Sequence, residues 1–192
     1  MHDAKRIGFA LCGSFCTTDE ALAGMETLAQ AGWELYPILS ERAAGTDTRF
    51  GSALDLRARA EAICGRAAVT ELVQAEALGK QLDALIIAPC TGATLARLAH
   101  GLSDSVVSFT AKGCLRGDKP VVLALSTNDA LGASAPNIGT LLTRRGVYFV
   151  PFRQDDPAEK PRSAAAKLAL LPDTLANALE GRQLQPILCP PC

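Results

Sequence analysis

Apolar residues along this chain follow two arrangements, short unbroken runs and stripes at helical spacing. The clearest run is Leu85, Ile86 and Ile87. Such a run marks a strand buried on both faces of a parallel sheet. Pro89 has no backbone N–H to give to a sheet and is expected to end the strand. Thr91, Gly92 and Thr94 follow, offering hydroxyls or a bare backbone. From Ala93 onward, apolar side chains fall at Leu95, Leu98, Ala99 and Leu102, the stripe of a helix. The stretch 84–104 therefore reads strand, tight turn, helix, with the helix N-terminus facing the carboxyl end of the strand. In open α/β sheets ligands bind at that end. Unpaired N–H groups and the helix dipole favour an anion there. An ordinary βα connection produces the same pattern.

The alternation recurs on both sides. Arg6–Leu11 reads as a first strand, Gly13 and Ser14 as a turn, and Thr17 with Glu20 as a capping box opening a helix. That helix carries Leu22, Met25, Leu28 and Ala29 and stops at Gly32. Trp33–Leu39 is a second strand, closed by Ser40. The first turn has no GxGxxG; one glycine and one serine at a helix start suit a single phosphate. Ser40 to Gly51 is a polar loop at the carboxyl end of strand two, and Arg49 within it is either a solvated charge or a ligand donor. Asp55 to Cys64 is helical, and Thr70 to Asp83 is a short helix and a loop leading into the central strand. Ser103 and Asp104 start a helix that reaches Gly117 and contains Lys112, again a solvated charge or a donor. Val121–Leu125 is a strand followed by Ser126, Thr127, Asn128 and Asp129. A helix over Asn137 to Arg145 and a last strand over Val147–Phe152 follow. Arg153 to Pro161 is a loop. Two helices, Ala164 to Leu171 and Asp173 to Leu179, flank Pro172, and the chain from about 183 is a loosely ordered tail. Alternating strands and helices predict one doubly wound, Rossmann-like parallel sheet with helices on both faces, spanning 1–192 as a single domain.

Composition narrows the function. With 192 residues there is enough chain for a full core, and 48% hydrophobic with 20% charged residues is ordinary for a globular protein. A net charge of -1 with no long basic run argues against nucleic-acid binding. No apolar run approaches the roughly 20 residues needed to cross a bilayer. Met1 leads almost directly into a strand, leaving no room for a signal peptide, so a cytoplasmic location is expected. Seven scattered cysteines fit reduced thiols better than a disulfide framework. Cys189-Pro-Pro-Cys192 closes the chain with no second pair, so no metal site is expected.

Several strings carry a resemblance. APCTGATLARLAHGLSDS resembles the PASANT-type motif of a flavoprotein family that includes cysteine and phosphopantothenoylcysteine decarboxylases. The Gly13-Ser14 turn, Ser40 after strand two, Asn128 after a later strand, and the Arg145-Gly146-Val147 triplet come in that family's order. RIGFALCGSFCT, TDTRFG, STNDALG, FVPFRQDDP, KPRSAAAK and LQPIL are similar to one branch, the B subunits of dipicolinate synthases. The resemblance implies FMN held by Gly13, Ser14, Ser40, Pro89, Thr91 and Thr94, with the phosphate at the first two turns. It also implies a homo-oligomer in the mother cell of a sporulating bacterium. Its activity would be oxidation of dihydrodipicolinate to pyridine-2,6-dicarboxylate together with the dehydrogenase-like A subunit of dipicolinate synthase, which carries NADP. Two carboxylates need cationic donors, for which Arg49 and Lys112 are expected, with Asn128. Where the decarboxylases have the motif asparagine this chain has Ala93, and their histidine after strand two is missing, so decarboxylation has no evident agent. A non-catalytic activator of the dehydrogenase-like companion is the second reading, and an independent FMN-dependent decarboxylase a third, weaker one.

Overall fold

The computed structural model describes residues 5–190. Its centre is β3 (Ala84–Cys90), buried at every position. On one side β3 pairs with β1 (Arg6–Leu11), which pairs in turn with β2 (Glu34–Leu39). On the other side it pairs with β4 (Val121–Thr127), which pairs with β5 (Val147–Phe149). All four of these pairings are parallel. The side chains alternate as pleating demands. Ile7, Phe9, Leu11, Ile86, Val122 and Ala124 pack with α1 (Thr18–Gln30), α3 (Ala53–Cys64) and α8 (Leu171–Leu179) on one face. Ala10, Leu85, Ile87, Leu123 and Leu125 pack on the other with α4 (Leu72–Gly79), α5 (Gly92–Ala99), α6 (Val106–Arg116) and α7 (Ala135–Leu142). The doubly wound layout read from the sequence is therefore present.

Several elements differ from expectation, each for a local reason. Pro89 does not end β3 but lies inside it, where the register with β4 shifts between Ile87 and Cys90 and no regular ladder bond is needed. Ser40 does not open a plain loop. It caps the five-residue α2 (Glu41–Gly45) by accepting from the Ala43 N–H at 3.3 Å. Thr17 makes no capping box, because its hydroxyl turns back to donate to the Ser14 carbonyl at 3.0 Å. The helix expected from Ser103 starts later, capped by Ser105, which forms a capping box with Ser108. The helix expected over Asn137 to Arg145 runs earlier, over α7.

The largest departure is antiparallel. β5 stops at Phe149, opposite Leu123, so the last residues of β4 have no parallel neighbour. β7 (Ala164–Ala166) fills that edge, pairing antiparallel with Ser126 and Thr127, and β6 (Phe152–Arg153) pairs with β7 in turn. Three alanines read as helix in isolation, but propensity is a weak prior against two open edges. The sheet is thus mixed, with seven strands. The last strand expected over Val147–Phe152 is two short strands, and Arg153 belongs to β6 rather than to a loop.

The segment from Gln183 is not a loose tail. The half-buried Gln183 side chain donates to the Phe149 carbonyl at 2.7 Å and accepts from the Phe149 N–H at 2.8 Å, as a neighbouring strand would. Beyond it, Phe152 N–H donates to Ile187 O at 3.0 Å and Cys189 N–H donates to Phe152 O at 2.9 Å. Cys192 lies outside the described residues. Gln183→Ala leaves both backbone groups of a buried phenylalanine without partners. It is expected to cost about 1–3 kcal/mol in urea unfolding, the range for orphaned buried polar groups. A loss under about 0.3 kcal/mol, below that range, would return the segment to a loose tail.

Candidate functional site

The sheet order brings the carboxyl ends of β2, β1 and β3 side by side. Because β1 leads to β2 on one flank and pairs with β3 on the other, the chain parts at this point, which is where α/β sheets open a crevice. The crevice is a cleft of about 610 Å³. After β1 come Cys12 and Gly13; after β2 come Ser40, Glu41 and Arg42; α5 contributes Thr91, Ala93, Thr94 and Arg97. The start of α6 closes it with Asp104, Ser105 and Val107.

Each group is held by its element. The Ser40 N–H bonds to Leu11 O at 3.0 Å, fastening the end of β2 to β1. Its hydroxyl oxygen accepts from α2, and the hydroxyl lies within hydrogen-bonding reach of the Cys12 thiol. A Cβ on Gly13 would lie 3.3 Å from the Arg42 Cβ, so the glycine leaves the turn the room it needs. Thr91 caps α5, accepting from the Thr94 N–H at 3.3 Å. The Thr94 hydroxyl donates to the Cys12 sulfur at 3.4 Å. Arg97 Nε bonds to Asp104 Oδ1 at 3.0 Å and its Nη1 donates to the Ala93 carbonyl at 3.5 Å, which aims the guanidinium and leaves Nη2 to other acceptors. Glu41 Oε1 accepts from the Val106 N–H at 3.0 Å, where the dipole of α6 favours a carboxylate.

Both acids of the cleft therefore have work inside the protein, the hydroxyls bond to one another or to Cys12, and the outward donors are the guanidinium groups of Arg42 and Arg97. Burial pushes the Cys12 thiol up to about 11, against the smaller lowering effect of the Thr94 bond. Cys90 beneath it is pushed well up by burial and by Cys12. Both are neutral thiols at neutral pH and neither is a ready nucleophile.

Of the residues singled out in the sequence, the structure brings Gly13, Ser40, Thr91 and Thr94 together. Ser14 lies beside them but bonds to Ser126 at 2.7 Å, in a hydroxyl cluster with Thr17 at the end of β4. Pro89 is buried in β3. Arg49 does not reach the cleft; it is exposed and stacks on its neighbour Phe50, 4.8 Å from the ring centroid. Lys112 is also elsewhere, exposed on α6 and donating to Ser103 Oγ at 3.2 Å, because α6 runs away from the cleft after Val107. Asn128 is exposed and accepts from the Ser163 hydroxyl at 3.5 Å.

The residues missed were Arg42, Arg97, Glu41 and Ser105. Arg42 had a signal, since Ser40 with Glu41 resembles a helix start. Arg97 had none, because a charge on an amphipathic helix is ordinary. The donor set fits a phosphorylated flavin. Ser40, Thr91, Ser105 and the two guanidinium groups suit an anion, and Cys12, Ala93 and Val107 form a wall of small side chains that leaves space for a flat ring.

The Flavoprotein family model matches residues 1–161. The B subunit of dipicolinate synthase from Bacillus subtilis is 43% identical over 186 residues, 96% of this chain and 93% of that protein. The crystal structure of the corresponding B subunit from Bacillus halodurans is 40% identical, superposes with a TM-score of 0.90, and covers 100% of both chains. The FMN-dependent cysteine decarboxylase SpaF is 26% identical, with a TM-score of 0.65 over 91% of this chain and 97% of that one. On the extent of the family match and the full-length likeness to two subunits of one kind, the chain belongs to the Flavoprotein family, in the branch of the dipicolinate synthase B subunits.

Proposed function

We propose that this protein is the B subunit of a dipicolinate synthase, an oxidoreductase that forms pyridine-2,6-dicarboxylate. The observation that carries the reading is the cleft at the ends of β1, β2 and β3. Its outward donors are cationic, hydroxyls line its walls, and it occurs in a chain similar along its whole length to such subunits. In the reaction a dihydropyridine dicarboxylate loses a hydride and a proton and becomes aromatic. Aromatisation supplies the driving force, so the protein's task is to hold the ring and its two carboxylates. Arg97, aimed by Asp104 and by the Ala93 carbonyl, takes one carboxylate through its remaining terminal N–H groups. Arg42 takes the second anion on the opposite wall. Gly13, Ser40 and Thr91 are the proposed cradle for the phosphate of FMN. A flavin there would supply a two-electron acceptor, with NADP on the dehydrogenase-like companion as the next.

The neutral Cys12 fits this chemistry, which needs no nucleophile. Among the described residues the one histidine, His100, follows the end of α5 and does not line the cleft. That removes the base expected of a decarboxylase. On this reading the protein works in the cytoplasm of a sporulating mother cell, as a homo-oligomer with its dehydrogenase-like companion.

Two measurements test the reading. First, the purified protein, alone and after incubation with FMN, is scanned between about 350 and 500 nm, then assayed with dihydrodipicolinate, NADP and the companion subunit. Flavin absorbance with turnover only in the presence of the companion is expected. A protein that binds neither flavin nor dicarboxylate, yet still stimulates its partner, would make it an activator. Second, pyridine-2,6-dicarboxylate is titrated calorimetrically into the protein. Arg97→Lys should weaken binding by about 1.5–3 kcal/mol, the range for a charge-assisted hydrogen bond, because lysine cannot offer two parallel N–H donors. Arg49→Lys, outside the cleft, should bind as the wild type does. The reverse pattern would return the role to Arg49.

A further inference from the structure

Lys112 points away from the cleft, and its surroundings have a use of their own. The outward face of α6 runs between two grooves. The first, about 380 Å³, separates α6 from α4. Gly79 and Gly113 form its floor, since a Cβ on Gly113 would lie 3.4 Å from the Gly79 Cα. The backbones of the two helices meet there, and the flanking side chains stand above them as walls. The second groove, about 260 Å³, lies toward α5 and includes Leu98, Leu102 and Leu115.

The charge on this face is one-sided. Lys80, Lys112, Arg116, Lys119 and Arg144 line the grooves, against the single carboxylate of Glu76. Glu76 is already paired with Lys80 at 3.1 Å, and Asp83 lies 3.7 Å from Lys119. Lys112, Arg116 and Arg144 pair with no carboxylate among the described residues. This concentration stands out in a chain whose net charge is -1. Leu102, 53% exposed, and Phe109 supply apolar surface among the cations. Apolar pockets beside unpaired positive charges match a partner segment carrying carboxylates and one or two apolar anchors. A free inorganic anion would have no use for Leu102 or Phe109.

We infer that this face of α6, centred on Lys112 and Arg116, is the docking surface for an acidic segment of the companion subunit. The occupant's identity rests on the reading of the chain as one half of a two-subunit enzyme; the face and its charge do not. The location is also apt. Ser105 and Val107 at the start of α6 line the cleft, and the Val106 N–H holds Glu41. A partner on the outward face therefore grips the same helix that closes the cleft.

The test titrates the purified dehydrogenase-like companion into the full-length protein at low and high salt. Lys112→Glu with Arg116→Glu should slow association and weaken affinity about tenfold or more, in the range of electrostatic steering effects. Salt should weaken the wild-type pair. Arg116 lies in the last turn of α6, where a carboxylate opposes the helix dipole, so Lys112→Gln with Arg116→Gln is measured beside it and should show a smaller loss in the same direction. Arg145→Glu, a charge reversal at a position 93% exposed and outside both grooves, should bind the companion normally. Titration of pyridine-2,6-dicarboxylate should be unchanged in the α6 variants. Unaltered affinity of the reversed variant for the companion overturns the inference while leaving the two-subunit reading intact. A wild type that binds no companion removes both. Loss of the protein's own assembly in the reversed variant, seen by light scattering, would mean that a second copy of the chain occupies the face.

Discussion

Hydrogen bonding of β1 to β2 and β3 is the constraint on which the cleft depends. Leu11 stands opposite Leu39, and the bond from Ser40 N–H to Leu11 O carries the pairing one residue past the strands. A slip of one residue would turn Phe9 and Leu11 out of their packed layer and would carry Ser40 away from Gly13. Strand register is held by burial on both faces, and the same register sets which turn residues meet. Core packing and ligand geometry are therefore one specification here.

Above that frame the cleft is organised by acids that serve the protein. Glu41 satisfies an N–H at the start of α6, and Asp104 aligns a guanidinium. Without Asp104 the long Arg97 side chain would lose rotamer freedom on binding a ligand; with it, part of that entropy is already lost on folding. A formally balanced set of two arginines and two carboxylates can thus present a positive face to an anion. Residue counts alone conceal this.

What the sequence disclosed follows the same division. The apolar run at Leu85–Ile87, the helical stripe after Ala93 and the turn at Gly13 report burial and backbone requirements, and those are local properties. They sufficed for the five parallel strands and for Gly13, Ser40, Thr91 and Thr94 at their carboxyl ends. Pairings between distant segments left no local trace. Ala164–Ala166 becomes a strand because β5 stops short of the end of β4, and nothing within the three alanines says so. Arg49 and Lys112 lie outside the cleft for a similar reason. A cation in a polar loop and a cation on a helix look alike until the direction of the element is known, and Arg97 was passed over on the same ground.

The docked chain end has a further consequence. Ile187 and Cys189 bond to Phe152, on the side of β6 away from β7. At the opposite border, Val69 bonds to Pro37 and Leu39 of β2, and Pro37 itself has no N–H to offer. Among the described residues, neither margin of the sheet presents a long row of unpaired backbone groups. Strand-to-strand joining between copies, the common route to fibrils and to swapped sheets, is thereby blocked at both borders. What the described residues offer to a partner is therefore the side chains of helices and turns.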